Sequence, residues 1–162
     1  MPRDPHQPLR LVLDTNVALD LLHFADAAAL PILNALETRS AHGYASTETL
    51  DELRRVLAYP EFQLDAVAQT ILFSRYLTWV CVVEVSSLLA ATPRCSDPDD
   101  QMFLQLARST DTDYLVSKDK ALLTLNGHRE LTFAIISPYE AGVLLLETNG
   151  GLRHAAMLGK KP

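Results

Sequence analysis

The chain alternates short apolar runs with longer stretches of helical spacing. Leu9-Arg10-Leu11-Val12-Leu13 has the length and composition of a buried strand and ends at Asp14. From Asn16 to His23 the period becomes helical, with Val17, Leu21 and Phe24 on one face. Asp26 is placed to cap a second helix, Ala27 to Thr38, which His42-Gly43 stops. Tyr44-Ala45-Ser46 reads as a brief strand, and Thr47 as the N-cap of a helix from Glu48 to Leu57. Tyr59-Pro60 ends that helix, because the residue before a proline disfavours α geometry. Asp65 to Trp79 is again helical, with Val67, Ile71, Leu72 and Tyr76 on one side, and the β-branched stretch Val80 to Val85 predicts a strand.

Pro93 to Pro98 is a loop, after which Asp99 to Ala107 returns to helical spacing with Phe103, Leu104 and Ala107 apolar. Asp113-Tyr114-Leu115-Val116-Ser117 reads as a strand, followed by a short helix from Ala121 to Leu125 and a further strand from Phe133 to Ile136. Ser137 caps a helix through Leu146, with Pro138 at its first position. Residues 1–8, with three prolines, form a loose lead-in, residues 9–147 one domain, and residues 148–162 a tail to which the pattern assigns no structure. Strands alternating with helices imply βαβ units, hence an α/β fold whose parallel sheet is covered on both faces.

A chain of 162 residues fits one domain with a sizeable core. Its 48% hydrophobic and 21% charged residues are near the globular average and exclude a collagen, a disordered chain or a disulfide scaffold. No apolar run reaches the ~18 residues of a membrane span, and MPRDPHQPLR lacks the apolar centre of a signal peptide. The expectation is a soluble cytoplasmic protein without a membrane partner. Cys81 lies in an apolar run, where a buried thiol is the ordinary reading, and Cys95 in a loop; a reduced pair is expected. No Cys/His spacing suggests zinc. The net charge of -6 points away from a strongly basic nucleic-acid-binding surface. It suits hard cations or a basic partner, and alone decides little.

The informative polar residues are acids. Asp14 ends the first strand and Asp119 follows another, in Leu-Val-Ser117-Lys118-Asp119. In open parallel sheets ligands bind outside the carboxyl ends of the strands, so these two acids are candidates for one site. Asp97, Asp99 and Asp100 open a helix, and Glu52 sits between the apolar positions Leu50 and Leu53. Clustered carboxylates raise one another's pKa, and a cation removes that penalty. Oxygen-only ligands suit Mg2+ or Mn2+, and such a site supports hydrolysis of a phosphodiester. Taken singly, most of these acids also have a structural reading. Asp97, Asp99, Asp100 and Asp119 are placed to cap helices, and Glu52 to pair with Arg54 or Arg55. Asp14 has the weakest such alternative. An aspartyl-nucleophile phosphatase is a rival reading, but it wants a second acid two residues on, where Asn16 stands.

Four stretches resemble the PIN-domain family, in matching order and spacing: Leu11-Val-Leu-Asp-Thr-Asn-Val17, Thr49-Leu-Asp-Glu-Leu-Arg-Arg-Val-Leu57, Asp97-Pro-Asp-Asp-Gln-Met-Phe-Leu104 and Asp113-Tyr-Leu-Val-Ser-Lys-Asp-Lys-Ala-Leu-Leu123. Within the family the resemblance is to the toxin components of bacterial toxin–antitoxin pairs, and it spans residues 9 to 146. It implies a three-layer α/β/α sandwich with a central parallel sheet, and RNA cleavage dependent on Mg2+ or Mn2+. The family's four acids fall on Asp14, Glu52, Asp100 and Asp119. Asn16, Asp97 and Ser117 are supporting residues, and Lys118 has no assigned role. The resemblance implies that Asp14, Asp100 and Asp119 hold the metal, directly or through waters, while Glu52 completes the shell or orients the attacking water. Hydrolysis leaves a 5′-phosphate and a 3′-hydroxyl. The resemblance further implies a small antitoxin partner and a homodimer. The alternatives are a binding module whose acidic pocket receives a basic residue of a partner, and a housekeeping RNA-processing nuclease. Against RNA binding stands the acidic balance. A bound cation would reverse the local charge, and Arg54, Arg55, Lys118 and Lys120 are near the acids in sequence.

Overall fold

The computed structural model describes residue 4 and residues 7–24, 26–86 and 92–158, with side chains as far as 148. Most of the expected lead-in, and Lys160-Lys161, lie outside the described residues. Five strands, β1 (Leu9–Leu13), β2 (Ala41–Ala45), β3 (Val80–Val82), β4 (Tyr114–Val116) and β5 (Ala134–Ile136), form one sheet in the order β3-β2-β1-β4-β5. Every pairing is parallel. The α-helices among the described residues are α1 (Thr15–Leu19), α2 (Leu30–Glu37), α3 (Thr47–Leu57), α4 (Ala66–Leu77), α5 (Gln101–Ser109), α6 (Lys120–Leu123) and α7 (Pro138–Leu158).

The strand pleat divides the core into two. Leu11 and Leu13 of β1, Val116 of β4 and Ile136 of β5 pack with α1, α2, α3 and α7 on one face. Val12, Leu115 and Ile135, offset by one residue, pack with Phe103, Leu104, Leu106 and Ala107 of α5 and with Leu122 of α6 on the other. The period of two that sends alternate side chains to opposite faces thus yields three layers, the expected α/β/α sandwich.

Some local expectations change. α2 gives way at Thr38, as expected, but the break is made by Arg39, with its φ of 61°, and not by His42 and Gly43, which lie inside β2. Gly43 is needed for close approach, because a Cβ there would stand 3.0 Å from Val80 Cγ1 across the β2–β3 pairing. Ser46, not Thr47, caps α3, in a reciprocal capping box with Thr49. The two cysteines exchange environments. Cys81 is exposed because β3 is an edge strand, whereas Cys95 is buried under α6, its thiol 3.6 Å from the Ala121 carbonyl; both are free. On α4, Tyr76 is buried but Val67 and Ile71 are exposed. The last helix runs past Leu146 to Leu158. No single helix among the described residues is long and apolar enough to cross a membrane.

Candidate metal centre

The strand order reverses at β1: β2 and β3 extend to one side, β4 and β5 to the other. Connections leave β1 and β4 in opposite directions there, which opens a crevice at their carboxyl ends. Asp14 follows β1, and Ser117-Lys118-Asp119 follow β4, so topology alone delivers these residues to the crevice.

Asp14 is buried and makes two bonds. Its Oδ1 accepts the Val17 N–H at 2.9 Å, capping α1, and its Oδ2 accepts the Ser117 hydroxyl. Ser117, fully buried, also accepts the Asp119 N–H at 2.9 Å, so one hydroxyl ties the two acidic segments together. Burial pushes the Asp14 carboxyl up, against the lowering effect of its bonds to Ser117 and Val17.

Across the crevice, Asp97 caps a single 3-10 turn, Pro98–Asp100, by accepting the Asp99 N–H at 3.0 Å. Asp119 caps α6 through the Ala121 N–H at 2.8 Å. The capping reading is therefore correct for both, and yet does not exhaust them. Asp100 opens α5 but caps nothing, and its Oδ2 is buried without a hydrogen-bond partner among the described residues. One carboxylate oxygen from each of Asp97, Asp100 and Asp119 lies within 4.8 Å of the others. Burial pushes Asp100 up to about 7, with the charges of Asp119, Asp97, Asp14 and Glu52 adding to it. Glu52 comes from α3 and accepts the Thr15 hydroxyl, while Arg55 stands 3.9 Å away on the solvent side.

This donor set fits a hard divalent cation. It is all oxygen, it carries surplus negative charge, and it includes a buried oxygen that no donor among the described residues satisfies. Cys95 does not add a soft ligand, since burial and the nearby carboxylates push its thiol up.

Of the residues singled out from sequence, Asp97, Asp100 and Asp119 converge directly, Asp14 joins them through Ser117, and Glu52 lies within electrostatic reach of Asp100. Asn16 is different: it is exposed, and no side-chain hydrogen bond holds it among the described residues. Thr15 and Asp20 were not anticipated, and Lys118 was noted as a cation near the acids but given no role. Asp20 carried a signal, as a lone acid in the run Leu19-Asp20-Leu21-Leu22; it is 5% exposed and pairs with Lys118 at 2.6 Å.

A family model described as the PIN domain matches residues 10–121. The chain belongs to the PIN-domain family. No curated protein matches it significantly. Among solved structures, a chain in the crystal structure of VapBC2 from Rickettsia felis bound to a DNA fragment from their promoter superposes with a TM-score of 0.56 at 12% identity, covering 80% of this chain and 98% of that one. PAE2754 from Pyrobaculum aerophilum superposes with a TM-score of 0.53 at 18% identity, covering 88% and 90%. At these identities the likeness is one of fold, and it extends across the whole PIN sandwich.

Proposed function

We propose that this PIN domain is an endoribonuclease that requires Mg2+ or Mn2+, cleaves single-stranded RNA and serves as the toxin of a toxin–antitoxin pair. The observation that carries the reading is the convergence of Asp97, Asp100 and Asp119 around a buried, unpartnered carboxylate oxygen at the switch point of a PIN fold. Asp100, Asp119 and Asp14 hold the cation, with Asp97 as an auxiliary ligand. When bound, the cation offsets carboxylate repulsion and stabilises charge on the scissile phosphate. Ser117 fixes the Asp14 carboxylate, and Thr15 fixes Glu52 in place to orient the attacking water. The water oxygen bonds to phosphorus as the P–O3′ bond breaks, and one proton of the water ends on the departing 3′-oxygen, leaving a 5′-phosphate and a 3′-hydroxyl. A small antitoxin partner is supported by the fold shared with a chain of VapBC2. A cytoplasmic homodimer completes the reading.

The test is cleavage of a labelled single-stranded oligoribonucleotide with Mn2+, with and without EDTA, by wild type and D14N. Wild type cleaves only with metal, and D14N loses about 1,000-fold, in keeping with the several kcal/mol that metal charge stabilisation supplies. Equal cleavage by both proteins rules this site out. Absence of cleavage by either, with tight capture of a basic peptide, favours the binding-module reading.

A further inference from the structure

Four basic residues lie near the acids in sequence, and the structure separates one from the rest. Arg54 pairs with Asp51 at 3.1 Å on the surface, both side chains more than 60% exposed. Arg55 is 64% exposed and stands 3.9 Å from Glu52. Lys120 is exposed. Lys118 alone of the four has an anchor in the interior: its Nζ is 2.6 Å from Asp20 Oδ2, and the Asp20 side chain is 6% exposed.

That pairing is unexpected from electrostatics alone. Lys118 sits between Ser117, which bonds Asp14, and Asp119, which belongs to the carboxylate cluster. Its flexible four-carbon stem can turn its ammonium toward several partners. Its charge already favours the ionised form of Asp14. Five carboxylates, Asp100 and the four whose charges act on it, would welcome an ammonium as their counter-ion, and Asp100 Oδ2 has no donor among the described residues. The ammonium nonetheless lies against Asp20. Asp20 opens a π-helical turn, Asp20–Phe24, that continues α1, and such turns recur beside functional sites. A buried carboxylate is costly without a counter-charge, and the ammonium supplies it: the contact at Asp20 Oδ2 is an ion pair at 2.6 Å, with no hydrogen bond formed at that oxygen among the described residues.

We propose that Asp20 is a positioning residue that parks the Lys118 ammonium at the border of the pocket, and so keeps it from taking the place of the divalent cation among Asp97, Asp100 and Asp119. This rests on the metal-site reading above. It gives Lys118 a defined place without making it a ligand, and it makes full metal affinity depend on Asp20 for as long as Lys118 is present, although Asp20 is not in the cluster.

The experiment is calorimetric titration of the full chain with Mn2+, without RNA, for wild type, D20N, K118M and D20N/K118M. Thermal unfolding by circular dichroism accompanies each. D20N frees the ammonium to compete and weakens Mn2+ binding about tenfold, the equivalent of one pKa unit of charge competition. K118M keeps the apolar stem but removes the competitor, so it binds Mn2+ at least as tightly as wild type. The double variant recovers wild-type affinity. A merely structural tie between α1 and the β4–α6 loop gives the opposite pattern, with K118M weakened and the double variant no better than D20N, and that result overturns the proposal. So does unchanged affinity in D20N. Should D20N not fold, a weakened K118M alone suffices to overturn it. A wild-type protein that takes up no Mn2+ instead overturns the metal-site reading, visibly and before any Asp20 variant is made.

Discussion

The two ends of the sheet treat their polar groups differently. At the amino end, the Asp113 carboxylate accepts the Arg10 N–H at 2.7 Å, and the Asp113 N–H returns a bond to the Arg10 carbonyl at 2.9 Å. Thr110 and Thr112 join hydroxyls at 2.6 Å, and Thr110 donates to the Leu106 carbonyl at 2.9 Å. These groups pair with one another there; the exception is the buried Arg10 Nε, which has no hydrogen-bond partner among the described residues and whose guanidinium carbon lies 5.1 Å from the Tyr44 ring centroid. At the carboxyl end, Asp14, Asp97, Asp100 and Asp119 face one another, and one oxygen of Asp100 has no donor. Burying carboxylates that repel each other costs stability. The amino end pairs an acid with backbone and sets its cationic side chain over an aromatic ring, whereas the carboxyl end gathers acids with acids, the arrangement that the proposed cation would offset.

The sharpest way to break this contrast is to remove the orphaned charge. D100N takes a carboxylate from the centre of the cluster while keeping its shape. Ribonuclease activity falls about 100- to 1,000-fold as charge stabilisation of the phosphate is lost. Without metal at pH 8, D100N unfolds at a higher temperature than wild type, because one repelling charge is gone. A stability loss instead would mean that Asp100 is a structural acid like those at the amino end.

A smaller effect is expected one bond further out. Ser117 holds Asp14 and the Asp119 backbone through a single hydroxyl. S117A leaves every carboxylate in place but lets Asp14 turn. Mn2+ affinity measured by calorimetry drops about 10- to 100-fold, the usual loss when a ligand's supporting bond is removed. An unchanged affinity would remove Asp14 from the metal shell.

Next comes pH. Asp100 is raised from an ordinary 3.8 to about 7, and Asp14 is raised as well. Each holds its proton in the folded protein over a range where the unfolded chain has released it. The unfolded state binds fewer protons there, so metal-free stability is greatest below the ordinary value and declines as pH rises to about 7. Metal needs the ionised carboxylates, so Mn2+ affinity moves the other way, rising up to ~tenfold per pH unit across the same window. The Mn2+-induced increase in melting temperature is therefore larger at pH 8 than at pH 5.5. A flat profile would place the carboxylates in solvent rather than in a shared pocket.

How much of this was legible in the sequence depends on the range of the interaction. Asp14 and Asp119 were readable because strand ends are local features and parallel α/β sheets bind ligands there. The three layers followed from the alternation of strands and helices. Cys81 and Val67 misled because an apolar run does not say that its strand is at an edge or that one face of its helix lacks a neighbour. Asp100 was separable from Asp97 and Asp99 only by family register. What distinguishes it physically, an oxygen without a donor, appears once the chain is folded. The pairs Thr15–Glu52 and Asp20–Lys118 join residues far apart in sequence, and no spacing rule reaches them. Asn16, beside Asp14 in sequence, stays outside the hydrogen-bond network because it lies on the exposed side of α1.

The smallest effect tests the other half of the contrast. D113A removes the acceptor of the Arg10 N–H at the amino end, where the two strands β1 and β4 begin side by side. Losing a partly buried, charge-assisted bond costs about 1–3 kcal/mol, which lowers the melting temperature by roughly 2–4 °C per kcal/mol in a domain of this size. D113N restores most of that, because its amide oxygen can still accept from Arg10. Neither variant changes Mn2+ affinity by more than about twofold, since sites this far apart with no shared partners act independently. If D113A weakened metal binding as S117A does, the strain would have passed along β4 from Asp113 to Ser117. The two ends would then be one coupled unit, and the amino end could no longer serve as an independent reference for the acid cluster at the carboxyl end.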